Sequence, residues 1–156
     1  MQSMETLHIR SVEELDGVSI IALDKLRTIF NEGRTPVLAI SGDLGAGKTT
    51  FIQRFAKQLH ISESVISPTY VIMKRYDVSE DNVEVFKTLV HMDVYRIDAV
   101  SEMVPLRFDE VLAEEGSVVC IEWAEKIKEL LPVHTIFMNI ESTGENSRKI
   151  TFSHNA

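Results

Sequence analysis

Gly42-Asp43-Leu44-Gly45-Ala46-Gly47-Lys48-Thr49 fits the pattern G-x-x-x-x-G-K-[ST] without a mismatch. Each residue type in it has a task in holding phosphate. Gly42, Gly45 and Gly47, with the small Ala46, let backbone N–H groups turn toward phosphate oxygens with little or no Cβ in the way. Lys48 can reach the outer phosphates, and the Thr49 hydroxyl can bind Mg²⁺. A helix starting here, through Thr49 and Thr50, adds unpaired N–H groups and the positive end of its dipole. Chance alone gives such a match in on the order of one chain in a few hundred of this length. The context narrows it further, because an apolar run ends just before the motif and a helical pattern begins inside it.

Hydrolytic chemistry at such a site also needs carboxylates. Ligands of open α/β sheets lie beyond the carboxyl ends of the strands, so acids that close apolar runs are the candidates. Val118-Val119-Cys120-Ile121-Glu122 and Leu89-Val90-His91-Met92-Asp93 both end this way. One acid can hold Mg²⁺, directly or through its waters, while the other orients an attacking water. The pattern does not fix which does which, and each also reads as a solvated strand-end acid or a helix N-cap. His91 reads first as a strand residue with a hydrogen-bond partner and second as a phosphate contact. Arg96 reads as a charge stabiliser for a transferring phosphoryl group or as half of a structural ion pair. Trp123 suits packing near a nucleotide or at an interface, and Cys120 suits a small core residue rather than a nucleophile.

The elements that must position these residues can be read from periodicity. Ser11-Val12-Glu13-Glu14 has the form of a capping box, and Leu15, Val18, Ile21, Ala22, Leu26, Ile29 and Phe30 recur at helical spacing. Asn31 to Pro36 breaks that helix. Val37 to Ile40 is expected to be a buried strand, and Thr49 to Leu59 a helix with Phe51, Ile52, Phe55 and Leu59 inward. Tyr70 to Tyr76 and Val83 to Tyr95 read as two strands joined by the turn Val78-Ser79-Glu80-Asp81-Asn82. An acidic helix is expected around Phe108 to Glu115, stopping at Gly116. A second buried strand, Val118 to Ile121, precedes a helix from Ala124 to Leu131. Strands His134 to Ile140 and Arg148 to Phe152 flank the turn at Thr143 to Asn146. Strands alternating with helices predict an α/β, three-layer P-loop fold with a largely parallel central sheet plus an antiparallel hairpin.

Composition restricts the rest. The 44% hydrophobic and 26% charged content belongs to an ordinary globular chain. No apolar run approaches the roughly 20 residues that span a bilayer, and MQSMETLHIR lacks the plan of a secretory signal. A lone cysteine cannot form an internal disulfide, so a cytoplasmic location and no membrane association are expected. The net charge of −8 argues against direct nucleic-acid binding. No repeat, low-complexity segment or linker interrupts residues 1–156, which predicts one P-loop ATPase domain.

GDLGAGKTT (Gly42 to Thr50), Ser67-Pro68-Thr69-Tyr70, His91-Met92-Asp93-Val94-Tyr95-Arg96 and Glu122-Trp123-Ala124-Glu125 stand in the order and approximate spacing of the TsaE (formerly YjeE) family. The chain resembles that family closely over Ile40 to Leu131 and more loosely at both ends. The P-loop alone is unspecific, whereas four ordered motifs are specific. The resemblance implies a Mg²⁺-dependent ATPase of low intrinsic activity. It would be needed for N6-threonylcarbamoyladenosine in tRNAs that read ANN codons. It would act on the TsaD–TsaB pair, with tRNA reached only through that complex. By the same resemblance Thr49 and Glu122 match the Mg²⁺ positions, and Asp93 matches the second essential acid, with water positioning or the outer metal shell as its role. Gly45 to Thr50 match the phosphate cradle, and Ser67 and Thr69 a switch that senses the γ-phosphate. Val12 and Arg148 match residues near the base. The chain departs from the family with Leu15 where a Thr is common, with a longer link from Tyr76 to Val83, and with a loosely matched acidic stretch, Ser101 to Pro105.

Other functions are separable in the sequence. A small-molecule kinase needs a mobile Arg-rich lid, which the residues after the P-loop do not supply. A GTPase needs N-K-x-D, which does not occur. A nucleotide-binding adaptor without turnover differs from a slow ATPase only in what its two acids do.

Overall fold

The computed structural model describes residues 2–79 and 85–155. Its frame is a seven-stranded sheet in the order β1-β7-β6-β2-β5-β4-β3. In chain order the strands are β1 (Gln2–Ile9), β2 (Val37–Ser41), β3 (Met73–Asp77), β4 (Thr88–Asp93), β5 (Ser117–Glu122), β6 (Ile136–Ser142) and β7 (Arg148–Asn155). The helices are α1 (Leu15–Asn31), α2 (Lys48–Gln58) and α3 (Phe108–Leu112). Pairings β6–β2, β2–β5 and β5–β4 are parallel, while β3, β7 and β1 join antiparallel at the two margins. The expected α/β fold is thus present, with antiparallel strands on both flanks of the parallel centre.

Residue parity along the central strands makes two cores. Leu38, Ile40, Leu89, Val118 and Cys120 face α1 and α2, with Phe51, Ile52, Phe55 and Leu26 completely buried between them. Val37, Ala39, Val90, Met92, Val119 and Ile121 face the other way, onto Met103, Phe108, Val111 and Ile127. A strand buried on both sides reads as a continuous apolar run, and β2 and β5 are such runs. Burying a ring like Phe55 is worth about 1.5–3 kcal/mol over leaving it exposed. The same parity sends His91, Asp93 and Glu122 to the α2 side, because they alternate with Val90, Met92 and Ile121.

Several elements differ from the sequence reading. β1 is not signalled by its pattern, since among its described side chains only Leu7 and Ile9 pack on the core; its place is set by pairing with the distant β7. At Ser11 no side-chain cap forms, and Glu14 instead accepts the Arg10 backbone N–H, so a 3-10 turn at Val12–Glu14 leads into α1. The strand expected from Tyr70 begins at Met73, because Ile72 donates its N–H back to the Pro68 carbonyl at 2.6 Å and closes a turn. β4 spans only Thr88–Asp93 of the expected Val83 to Tyr95; Val83, Glu84 and the turn residues Glu80 to Asn82 lie outside the described residues. The acidic helix is the five-residue α3, preceded by a 3-10 stretch at Val100–Leu106. Ala124–Leu130 is also a 3-10 stretch, broken at Ile127, whose φ of −123° turns its side chain into the second core. Among the described residues no helix is long and apolar enough to cross a membrane.

Candidate functional site

The P-loop joins β2 to α2, and its three glycines, Gly42, Gly45 and Gly47, all take positive φ. At Gly42, φ is +150° and an added Cβ would lie 2.5 Å from the Ile140 carbonyl oxygen. At Gly47, the N-cap of α2, φ is +111°, in the left-handed region that side chains rarely adopt. The loop's outer tip, Leu44, is 81% exposed. Lys48 opens α2 and folds back over the loop, donating from Nζ to the carbonyls of Gly42 (2.5 Å) and Asp43 (2.9 Å). Its ammonium also lies 4.1 Å from the centroid of the Trp123 ring. Burial pushes the Lys48 pKa down, against the opposing pull of Glu122, Glu125, Asp93 and Asp43. A desolvated cation of this kind is primed for an anion that restores its partners.

Thr49 and the end of β5 meet next to it. The Thr49 hydroxyl donates to the Glu122 carboxylate, 2.8 Å from Oε1 and 3.0 Å from Oε2. His91 Nε2 lies 2.6 Å from the same Oε2. Glu122 and His91 are both buried, so the acid is fixed by two neighbours in a dry setting. Trp123 follows at φ +60°, outside the range a β-strand allows, and that ends β5 at the acid.

Asp93 pairs in register with Glu122 across β4 and β5. Its Oδ2 accepts from the Ser67 and Thr69 hydroxyls at 3.1 and 3.0 Å, and its Oδ1 accepts the Tyr95 N–H at 3.0 Å. The two hydroxyls also touch each other at 2.6 Å. Their segment runs on through the exposed Tyr70 and Val71 to Ile72 at φ +69°, a strained value for a β-branched residue.

The sequence candidates therefore gather unevenly. Gly42 to Thr49 with Glu122 form one bonded cluster and Ser67 and Thr69 with Asp93 another, side by side through the β4–β5 register. Thr50 sits on the first turn of α2, half-buried. Arg148, at the start of β7, donates from Nε to the Ala46 carbonyl at 2.9 Å and braces the P-loop from the β6–β7 turn. Val12 is 45% exposed on the turn before α1 and takes no part in the bonded cluster. Arg96 makes no ion pair among the described residues; its guanidinium lies 4.4 Å from the centroid of Tyr70. The sequence gives His91 a hydrogen-bond partner and Trp123 a packing role without saying with whom; the partners are Glu122 and Lys48. Only the β4–β5 register and the turn after Glu122 create these contacts.

Oxygen donors at Thr49 and Glu122 suit a hard cation such as Mg²⁺. Among the described residues no group of three or more His, Cys, Asp or Glu could hold a metal by itself. An ion here would complete its shell with nucleotide phosphates and water, as Mg²⁺ commonly does.

The model of the family described as "Threonylcarbamoyl adenosine biosynthesis protein TsaE" matches residues 18–150. A Bacillus subtilis (strain 168) protein, "tRNA threonylcarbamoyladenosine biosynthesis protein TsaE", is 44% identical over 117 residues, covering 75% of this chain and 68% of its own. A protein of the same description from Rickettsia felis is 35% identical over 127 residues, covering 80% and 70%. Among solved structures, "Crystal structure of Bacillus subtilus YdiB" superposes with a TM-score of 0.73 at 32% identity, covering 100% of this chain and 88% of the other. A family match over most of the chain, with relatives alike across most of their own length, has one reading: the chain belongs to the TsaE family of threonylcarbamoyl adenosine biosynthesis proteins.

Proposed function

We propose that this protein binds Mg²⁺–ATP at Gly42 to Thr50 and hydrolyses it on the TsaD–TsaB proteins, as part of N6-threonylcarbamoyladenosine synthesis in tRNAs reading ANN codons. Residues 1–156 act as one P-loop ATPase domain in the cytoplasm, and tRNA is met only through the complex. The observation that carries this reading is the Thr49 hydroxyl held on Glu122 beside a buried lysine in a glycine cradle.

Each residue has work that follows from its setting. Lys48 leaves the carbonyls of Gly42 and Asp43 for phosphate oxygens, exchanging two neutral acceptors for charged ones. Backbone N–H groups of Gly45 to Thr50 take the remaining phosphate oxygens. Thr49 and Glu122 would hold the Mg²⁺, and the bound ion would neutralise charge on the β- and γ-phosphates. Thr49 can keep its hydrogen on Glu122 while offering a lone pair to the ion. Asp93 orients the attacking water once Ser67 and Thr69 turn from it toward the γ-phosphate. Arg148 and Val12 lie toward the base.

A protein partner at the mouth is supported by exposed apolar side chains around it. Leu44, Tyr70 and Val71 are 81%, 84% and 66% exposed, and the surface carries an overall negative charge. The test is ATP hydrolysis by the purified chain alone and with TsaD–TsaB, with Lys48→Ala as control. Stimulation by the pair, lost in the variant, is expected. A rate unchanged by the pair would overturn the partner assignment, and no turnover in any mixture would leave a binding adaptor instead.

A further inference from the structure

Glu122 is held by two partners, and only one of them belongs to the P-loop. His91 is completely buried in β4 and stands opposite Cys120 in the β4–β5 register, which makes it the diagonal neighbour of Glu122 on the same face of the sheet. Its Nε2 is 2.6 Å from Glu122 Oε2, while among the described residues its Nδ1 has no hydrogen-bond partner. That asymmetry decides the tautomer. A hydrogen on Nδ1 would be a buried donor with no acceptor, and the Nε2 lone pair would then face a carboxylate oxygen. With the hydrogen on Nε2, only a lone pair goes unused. His91 is therefore the donor and Glu122 the acceptor.

We infer that His91 is a positioning residue for the metal site, fixing the Glu122 carboxylate in the orientation that meets Thr49 and would meet the ion. The inference rests on the reading of Thr49 and Glu122 as the Mg²⁺ position. The carboxylate torsion is soft and close to two-fold, so a single donor from Thr49 leaves it free to swing. A second donor, supplied from inside a strand, removes that freedom. Partners of this kind commonly change metal affinity by about 10- to 100-fold when removed.

The experiment measures binding of a non-hydrolysable ATP analogue by calorimetry, first without metal and then at increasing Mg²⁺. In His91→Leu the Mg²⁺ concentration at half-saturation should rise about 10-fold or more, with metal-free binding unchanged. His91→Gln, whose amide nitrogen reaches the place of Nε2, should restore it. In a Glu122→Gln background, His91→Leu should add nothing further. Should His91→Leu fail to fold, His91→Asn, whose amide ends short of Glu122, carries the same test. A wild-type half-saturation in the Leu or Asn variant, or a Gln variant as impaired as Leu, overturns the inference while leaving the Mg²⁺ reading in place. Wild-type binding indifferent to Mg²⁺ overturns both.

Discussion

Glu122 and Asp93 stand side by side across β5 and β4, yet the protein holds them in opposite ways. Glu122 is gripped by a strand residue, His91, and by the first turn of a helix, Thr49, each packed into the sheet. Asp93 is gripped by Ser67 and Thr69, two hydroxyls on a loop that reaches Ile72 at φ +69°. Backbone strain of that kind costs about 1–3 kcal/mol and persists only while neighbours enforce it. The contrast separates two duties. An acid on fixed partners suits a ligand that stays throughout the cycle, and an acid on a strained loop suits one that comes and goes.

The largest effect is expected where both halves depend on one group. Lys48→Ala should weaken ATP binding by about 3 kcal/mol, roughly 100-fold, because charge-assisted contacts to phosphate are lost; calorimetry giving wild-type affinity would remove the P-loop from the account. The acids should then part company. Glu122→Ala should abolish the Mg²⁺-dependent share of nucleotide binding. Asp93→Ala should keep that share and lower turnover by about 100-fold. Metal titrations and rates measured on both variants would erase the contrast if their profiles coincided.

A smaller effect is expected from the loop. Ser67→Ala removes one hydroxyl from Asp93, worth about 1 kcal/mol or roughly 5-fold. It should narrow the difference in TsaD–TsaB binding between ATP and ADP states, as read by pull-down or calorimetry. An unaltered difference would mean that the loop does not report the phosphate. The smallest effect concerns Cys120, which lies inside β5 two residues before Glu122 and opposite His91 of β4. Burial pushes its thiol pKa up, which leaves little thiolate at neutral pH. Alkylation should therefore wait for unfolding in denaturant; rapid labelling of the native protein would show that the sheet beneath Glu122 is loose.

The parts of this site that depend on neighbours in sequence were legible, and those that depend on register were not. Gly42 to Thr50 is read directly, since the turn's glycines and the helix start are local. Asp93 and Glu122 are found because each ends an apolar run that parity places between two cores. His91 gives no such signal: its partner is decided by how β4 slides along β5, which one chain's pattern leaves open. The same holds for β1, whose two inward apolar residues are too few to mark a strand without β7. At Tyr70 to Ile72 the aromatic and β-branched types suggest extended chain, yet the hydroxyl bonds to Asp93 and the turn onto Pro68 win.

The most direct test is a crystal structure with Mg²⁺ and a non-hydrolysable ATP analogue. The account predicts phosphates within Gly42 to Thr50, Lys48 moved from the Gly42 and Asp43 carbonyls onto them, and Thr49 and Glu122 at the ion. It also predicts Glu122 still on His91, and Ser67 or Thr69 turned away from Asp93. A nucleotide bound elsewhere, with Lys48 still on its own loop, would contradict it.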